Sequence, residues 1–268
     1  MSRPIRARFD AAALRHNLAV ARRHGQDSRL WCVVKANAYG HGLDRVATAL
    51  AEEADGFALI ELEAAIALRE SGLRQPILMM EGFYDAEELP LFAEHGLTPV
   101  LHRPDQVATF VQAALPVRLP VYLKLETGMH RLGLDQTQLA KALALLAESG
   151  CASTITLMTH FADADGPSGV ARPMARFGEL AEGRNLPVCL ANSAALLRFP
   201  ETRGNWARPG IMLYGSSPFP EVSAADLDLR PVMTLESELI AVRELAVGDY
   251  VGYGNTFTAL GPMRVGVV

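Results

Sequence analysis

Cysteine is scarce in this chain, and so are tryptophan and runs of a single residue character. The three cysteines, Cys32, Cys151 and Cys189, lie far apart and form no CxxC pair. This excludes a disulfide framework and a thiolate zinc site as organising features. Buried thiols in a reducing, cytoplasmic setting are expected instead, with no bound metal. No apolar stretch approaches the roughly 18 residues of a membrane span, and no apolar signal region follows Met1-Ser2-Arg3-Pro4. Basic runs are absent beyond Arg22-Arg23 and the net charge is −5, so nucleic acid is not an expected partner. There is no P-loop, no HExxH and no G-x-S-x-G.

What is present is a balanced globular composition. Of 268 residues, 50% are hydrophobic and 21% charged. That excludes long disorder and allows a large core, either one domain or a large domain with a smaller one. Short β-branched runs alternate with helical patterns. Asp10 can cap a helix whose apolar positions are Leu14, Leu18 and Ala21, with Gly25 at its stop. Strand-like runs follow at 30–34, 56–60, 76–80, 98–101, 121–125, 155–159 and 187–190, with an eighth within 206–214. Helix-length intervals separate them, one opened by Pro104 and one capped by Asp135 and closed by Gly150. Eight such units predict an α/β fold of the (β/α)8 barrel type. An open doubly wound sheet is the competing arrangement.

After Pro218-Phe219-Pro220 the texture changes to period-two, turn-punctuated β structure without helices. The expected division is a barrel over 10–222 and a mostly-β domain over 223–268. Residues 1–9 are expected to add a strand to the latter.

A barrel of this kind works at the C-terminal ends of its strands. The first strand runs into Lys35. Desolvation there would lower the pKa of its amine and make it a nucleophile for Schiff-base chemistry. Tyr39 and its neighbouring glycines follow. The fifth strand carries Lys124 and leads to Arg131, and the sixth leads to His160. The seventh reaches Asn192-Ser193 at a helix start, which can offer a hydroxyl and amides to an anion. The eighth brings Arg208-Pro209-Gly210-Ile211, a guanidinium followed by a turn able to face a phosphate. Each also has a plain structural reading: a snorkelling lysine, an N-cap serine, a satisfied histidine, a surface arginine. Together they suit a phosphorylated aldehyde, pyridoxal 5′-phosphate.

The motif Val33-Val34-Lys35-Ala36-Asn37-Ala38-Tyr39-Gly40-His41-Gly42 resembles the cofactor-lysine signature of the alanine racemases, pyridoxal-phosphate enzymes of fold type III. Also similar to that family are residues 123–133, Thr159-His160-Phe161, Asn192-Ser193, Arg208-Pro209-Gly210-Ile211 and Gly252-Tyr253-Gly254. The resemblance runs over essentially the whole chain. It departs at Glu126, where the family more often has Asp. It implies interconversion of L- and D-alanine by two opposed bases, Lys35 and Tyr253. Tyr253 would reach in from the second subunit of a homodimer. A free tyrosine titrates near 10, so this role needs a cationic network behind it, which the resemblance assigns to His160 and Arg208. Arg208 would also face the pyridine nitrogen. Arg131 would contact the ring's phenolic oxygen, and Lys124 would be carbamylated to orient Arg131. Tyr39, Ser193, Gly210 and Ile211 would bind the phosphate, with Asn192 beside them. The product would be D-alanine for peptidoglycan, or L-alanine turnover in catabolism.

The alternatives are a non-catalytic pyridoxal-phosphate-binding barrel, a fold-type III decarboxylase or broad-specificity racemase, and a barrel with no such cofactor. The β structure after residue 231 speaks against the first. The final run Met263-Arg264-Val265-Gly266-Val267-Val268 reads as a strand without a polar ending, so a C-terminal truncation is expected.

Overall fold

In the computed structural model, which describes residues 3–268, the chain forms two units. The larger, Asp10–Val232, is a closed eight-stranded parallel barrel. Strand β1 (Arg6–Phe9) belongs to the smaller unit. The barrel strands are β2 (Arg29–Val33), β3 (Gly56–Leu59), β4 (Ile77–Met79), β5 (Leu97–Leu101), β6 (Leu119–Lys124), β7 (Ala152–Met158), β8 (Val188–Asn192) and β9 (Trp206–Arg208). Helix α1 (Ala11–Gly25) precedes them, and a short turn, α2 (Lys35–Tyr39), follows β2. Between the strands run α3 (Leu43–Leu50), α4 (Leu62–Glu70), α5 (Leu89–His95), α6 (Pro104–Gln112), α7 (Gln136–Ser149), α8 (Ala171–Ala181) and α9 (Ser193–Arg198).

The helix starts follow from local chemistry. The Asp10 carboxylate accepts the Ala13 amide at 2.9 Å. Asp135 and Gln138 form a reciprocal capping box, and Gly150 closes that helix in the left-handed conformation. Prolines 104 and 90 sit in first turns, where a missing N–H costs nothing.

Strand alternation fills the barrel and then builds its mouth. Trp31, Val33, Ala58, Leu78, Val100, Tyr122, Met158 and Cys189 form one buried cluster. Residues two positions further along each strand stay on the same face. Those residues are Lys35, Ile60, Met80, His102, Lys124 and His160, and Arg208 follows Trp206 in the same way. In β8 the register shifts between Cys189 and Asn192, which brings Asn192 instead of Ala191 to the mouth. A single geometric rule thus carries Lys35, Lys124, His160 and Arg208 to one end of the barrel.

The smaller unit, residues 1–9 with Met233–Val268, consists of three two-stranded antiparallel pairs among its described residues. Strand β1 pairs with β10 (Met233–Glu236), and Arg6 and Arg8 both meet Glu236. Strand β11 (Ala241–Leu245) pairs with β14 (Met263–Val267), and β12 (Tyr250–Val251) with β13 (Phe257–Thr258). A 3-10 turn at Tyr253–Asn255 interrupts an otherwise helix-free unit. The boundary differs from the expected residue 222. Residues 223–232 belong with the barrel because Leu229 and Val232 are buried there. The Asn17 side chain also brackets Arg230, donating to its carbonyl at 2.8 Å and accepting its amide at 2.8 Å.

Candidate active site

The C-terminal mouth of the barrel holds a cavity of about 330 Å³. Its walls carry Lys35, Lys124, Arg131 and Arg208 against two carboxylates, Glu81 and Asp165. An excess of cationic side chains in a concave, partly apolar site selects an anionic ligand.

Lys35 enters from a strained segment. Ala36, Asn37, Ala38 and Tyr39 all have φ between 52° and 54°, so α2 is a left-handed turn. Left-handed backbone costs roughly 1–2 kcal/mol per non-glycine residue, so the surroundings must hold the turn in place. The Asn37 side chain accepts the Leu43 amide at 2.8 Å. Glu61, at the end of β3, accepts the Ala36 amide at 3.2 Å. The Tyr39 ring packs on Tyr214 at 4.9 Å, and the Tyr214 hydroxyl donates to the Val33 carbonyl at 2.9 Å. The strain is concentrated beside the one lysine that β2 delivers to the cavity.

Arg208 is buried, yet no carboxylate pairs with it among the described residues. Nη1 donates to the Cys189 carbonyl at 2.7 Å and to its Sγ at 3.1 Å. Nη2 donates to the carbonyls of Thr159 at 2.6 Å and Leu190 at 3.0 Å. It also lies 3.4 Å from His160 Nδ1. A guanidinium has no acceptor, so His160 Nδ1 must be the unprotonated nitrogen and Nε2 carries the proton. Burial, with Arg208, Lys124, Arg131 and Lys35 around it, pushes the His160 imidazole down to about 3. His160 is therefore neutral near pH 7. With both Nη groups committed to protein, the Nε–H of Arg208 is the donor left for a ligand.

Across the mouth, Ser193 Oγ accepts the Gly210 amide at 2.8 Å and the Met212 amide at 3.4 Å. The serine hydroxyl proton is then free to point outward. Asn192, not Ser193, caps α9, with its side chain accepting the Ala195 amide at 3.0 Å. The Gly210 amide is occupied by Ser193, so the turn's available donor is the Ile211 amide. A Cβ on Gly210 would lie 2.8 Å from the Tyr39 hydroxyl, so a side chain there would close the space between Tyr39 and Ser193. Burial raises the Tyr39 pKa and keeps it a hydroxyl donor.

Lys124 is 7% exposed and has no carboxylate within ion-pair distance among the described residues. Burial first, then the charges of Arg208 and Arg131, push its amine down to about 8. Arg131 lines the same cavity from an exposed loop.

The geometry thus gathers Lys35, Tyr39, Lys124, Arg131, His160, Asn192, Ser193, Arg208, Gly210 and Ile211 around one cavity. Tyr253 belongs to the smaller unit, where its side chain is fully exposed. Sequence reading passed over Glu81, Asp165 and Tyr214. It stopped at the ends of strands one and five to eight; the same rule applied to the third strand gives Glu81. Tyr214 had no sequence signal, because its role lies in a ring contact and a bond to Val33.

The donor set suits pyridoxal phosphate. Three neutral donors (the hydroxyls of Tyr39 and Ser193 and the Ile211 amide) can converge on a phosphate. Lys35 offers an amine to an aldehyde, and Arg208 Nε–H a donor to a ring nitrogen.

Comparison with known proteins gives a consistent picture. Residues 9–218 match a family model described as the alanine racemase N-terminal domain, and residues 232–268 one described as the C-terminal domain. An alanine racemase of Nitrosospira multiformis is 51% identical over 271 residues, covering all of this chain and 76% of that protein. A catabolic alanine racemase of Klebsiella aerogenes is 45% identical over 269 residues, covering all of this chain and 75% of its own length. The crystal structure of a biosynthetic alanine racemase from Pseudomonas aeruginosa superposes with a TM-score of 0.94 at 42% identity, over 98% of this chain and 74% of that one. A Bartonella henselae alanine racemase described with covalently bound pyridoxal phosphate gives a TM-score of 0.85 at 26% identity, over 98% and 74%.

Proposed function

This chain belongs to the alanine racemase family, and from that premise we propose that it interconverts L- and D-alanine using pyridoxal 5′-phosphate held in the barrel mouth. The observation that carries this reading is Arg208. It is a buried guanidinium with its Nη groups tied to three backbone carbonyls and its Nε free to meet a ring nitrogen. Once bound, the cofactor draws electron density from the substrate's α-carbon and so acidifies its proton. A guanidinium is a poor acid, so a ring nitrogen facing Arg208 would gain no proton from it. That would limit the electron withdrawal and favour return of the proton over side reactions such as transamination.

Lys35 would hold the cofactor, and its amine would take or return the α-proton on the D-alanine face. The partner subunit's Tyr253 does the same on the L-alanine face. Opposed bases are what inversion by proton transfer requires. Neutral His160 has its proton on Nε2, so it can donate to a phenolate while Arg208 holds its other nitrogen. Tyr39, Ser193, Ile211 and the open space at Gly210 receive the phosphate, with Asn192 shaping the wall. Lys124, as a carbamate, would replace one of the pocket's four cations with an anion and turn Arg131 toward the ring's phenolic oxygen. This assignment requires a homodimer, and the biosynthetic and catabolic descriptions of the relatives share its chemistry. The exclusively cofactor-binding alternative would keep Lys35 and the phosphate site but have no use for Tyr253.

The test is a coupled assay for D-alanine formed from L-alanine by this chain with pyridoxal phosphate added. Turnover is expected, and Tyr253→Phe should lower it by about 100-fold or more, the scale of a lost general base. Cofactor binding without turnover in the intact chain would favour the non-catalytic alternative.

A further inference from the structure

His102 follows β5 as Lys124 closes β6. The two strands pair in parallel with Val100 opposite Tyr122 and Leu101 opposite Leu123. Continuing that register sets His102 beside Lys124, and alternation from Val100 and Tyr122 puts both on the face turned toward the barrel interior. Both are buried, at 6% and 7% exposure. His102 is fixed at one nitrogen only. Its Nε2 lies 3.2 Å from the Glu81 carbonyl, and its main-chain amide donates to Gln106 at 3.0 Å. A carbonyl only accepts, so Nε2 carries the ring proton. Nδ1 is then a buried lone pair with no hydrogen-bond partner, one of two such side-chain atoms among the described residues. Native proteins seldom leave such an atom unused.

Lys124 presents the complementary problem. It is a buried amine facing Arg208, Arg131 and Lys35, with Glu81 as the nearby opposite charge. Glu81 is itself engaged by the Tyr84 hydroxyl at 2.5 Å. Burial first, then the charges of Arg103 and Lys124, hold the His102 imidazole below its ordinary value, against the opposing pull of Glu81.

We propose that His102 is a positioning residue that captures the proton released when Lys124 reacts with carbon dioxide, and then holds the resulting carbamate. The neutral Lys124 amine forms an N–C bond to dissolved carbon dioxide, and one C=O π pair moves onto oxygen. The proton leaving Nζ passes to His102 Nδ1. A neutral amine beside His102 becomes an anion, so the imidazolium gains a partner. Nδ1–H then donates to the carbamate, and Nε2–H keeps its bond to the Glu81 carbonyl. This inference rests on the carbamylation read for Lys124 above, and it explains why a buried histidine nitrogen is left open beside a buried lysine.

The test is 13C NMR of the full chain equilibrated with 13C-bicarbonate, with His102→Phe, His102→Gln and Lys124→Met beside the parent. A carbamate signal is expected in the parent and lost in Lys124→Met. His102→Phe should need about tenfold more bicarbonate for half-labelling, the effect of losing one charge-assisted hydrogen bond. His102→Gln, whose amide can donate, should recover part of the difference. Circular dichroism and unfolding midpoints establish that each variant is folded. Equal labelling of His102→Phe and parent would overturn the role of His102. Absence of any label on the parent would overturn the proposal while leaving the racemase reading to its own assay.

Discussion

Arg208 and Ser193 show how individual side chains prepare this mouth for an anion. Removing Ser193 Oγ leaves the Gly210 and Met212 amides buried without their acceptor, a cost of roughly 1–3 kcal/mol per lost partner. Ser193→Ala is therefore expected to weaken cofactor binding by at least about tenfold, read by titrating the visible absorption band. Unchanged affinity would mean that the phosphate lies elsewhere. His160 makes a separate prediction about pH. Below its ordinary pKa of 6.5 the unfolded chain binds a proton at this residue, which the folded chain refuses until about pH 3. Stability contributed by the neutral imidazole is present above pH 6.5 and is lost as pH falls toward 3, by at most roughly 1.4 kcal/mol per unit. His160→Asn should flatten the pH dependence of unfolding in that window. An unchanged slope in urea titrations would contradict the buried neutral histidine.

Among the elements, the left-handed turn after β2 is the least expected from sequence. Ala36-Asn37-Ala38-Tyr39 has no glycine until Gly40, and ordinary propensity would make it right-handed. Its conformation is imposed from outside, by Glu61, Tyr214 and the cap that Asn37 gives to α3. Ala36 is exposed, so Ala36→Gly should be neutral or stabilising by up to about 1 kcal/mol, while Ala36→Val should destabilise by more. Chemical unfolding of the two variants checks the sign. The barrel itself was legible because its strands are apolar on both faces and its helices carry their own start and stop signals at Asp10, Pro104, Asp135 and Gly150. The strand-end rule located Lys35, Lys124, His160 and Arg208 before any coordinates. It could not show that Gly210's amide is taken by Ser193, nor that Asn192 rather than Ser193 caps α9. Those depend on a register shift in β8 and on side-chain rotamers, which sequence periodicity does not encode.

The whole chain spans about three quarters of the length of the relatives it matches. Its smaller unit keeps large apolar side chains open, with Leu235 at 74%, Leu239 at 64% and Leu260 at 92% exposure. Open apolar surface of this kind marks an interaction face, and the proposed site needs a second copy to supply Tyr253. Lys35→Ala and Tyr253→Phe should each be inactive alone, and mixing them should restore activity through hybrid dimers with one intact site. Failure of the mixture, with dimers present, would place both bases in one chain. The central claim is that Lys35, of the two lysines lining the cavity, carries the cofactor. Borohydride reduction of the pyridoxal-phosphate-loaded chain, followed by peptide mass spectrometry, tests it most directly. The account predicts a pyridoxyl group on the peptide containing Lys35, absent in Lys35→Ala; a group on Lys124, or none on either lysine, would contradict it.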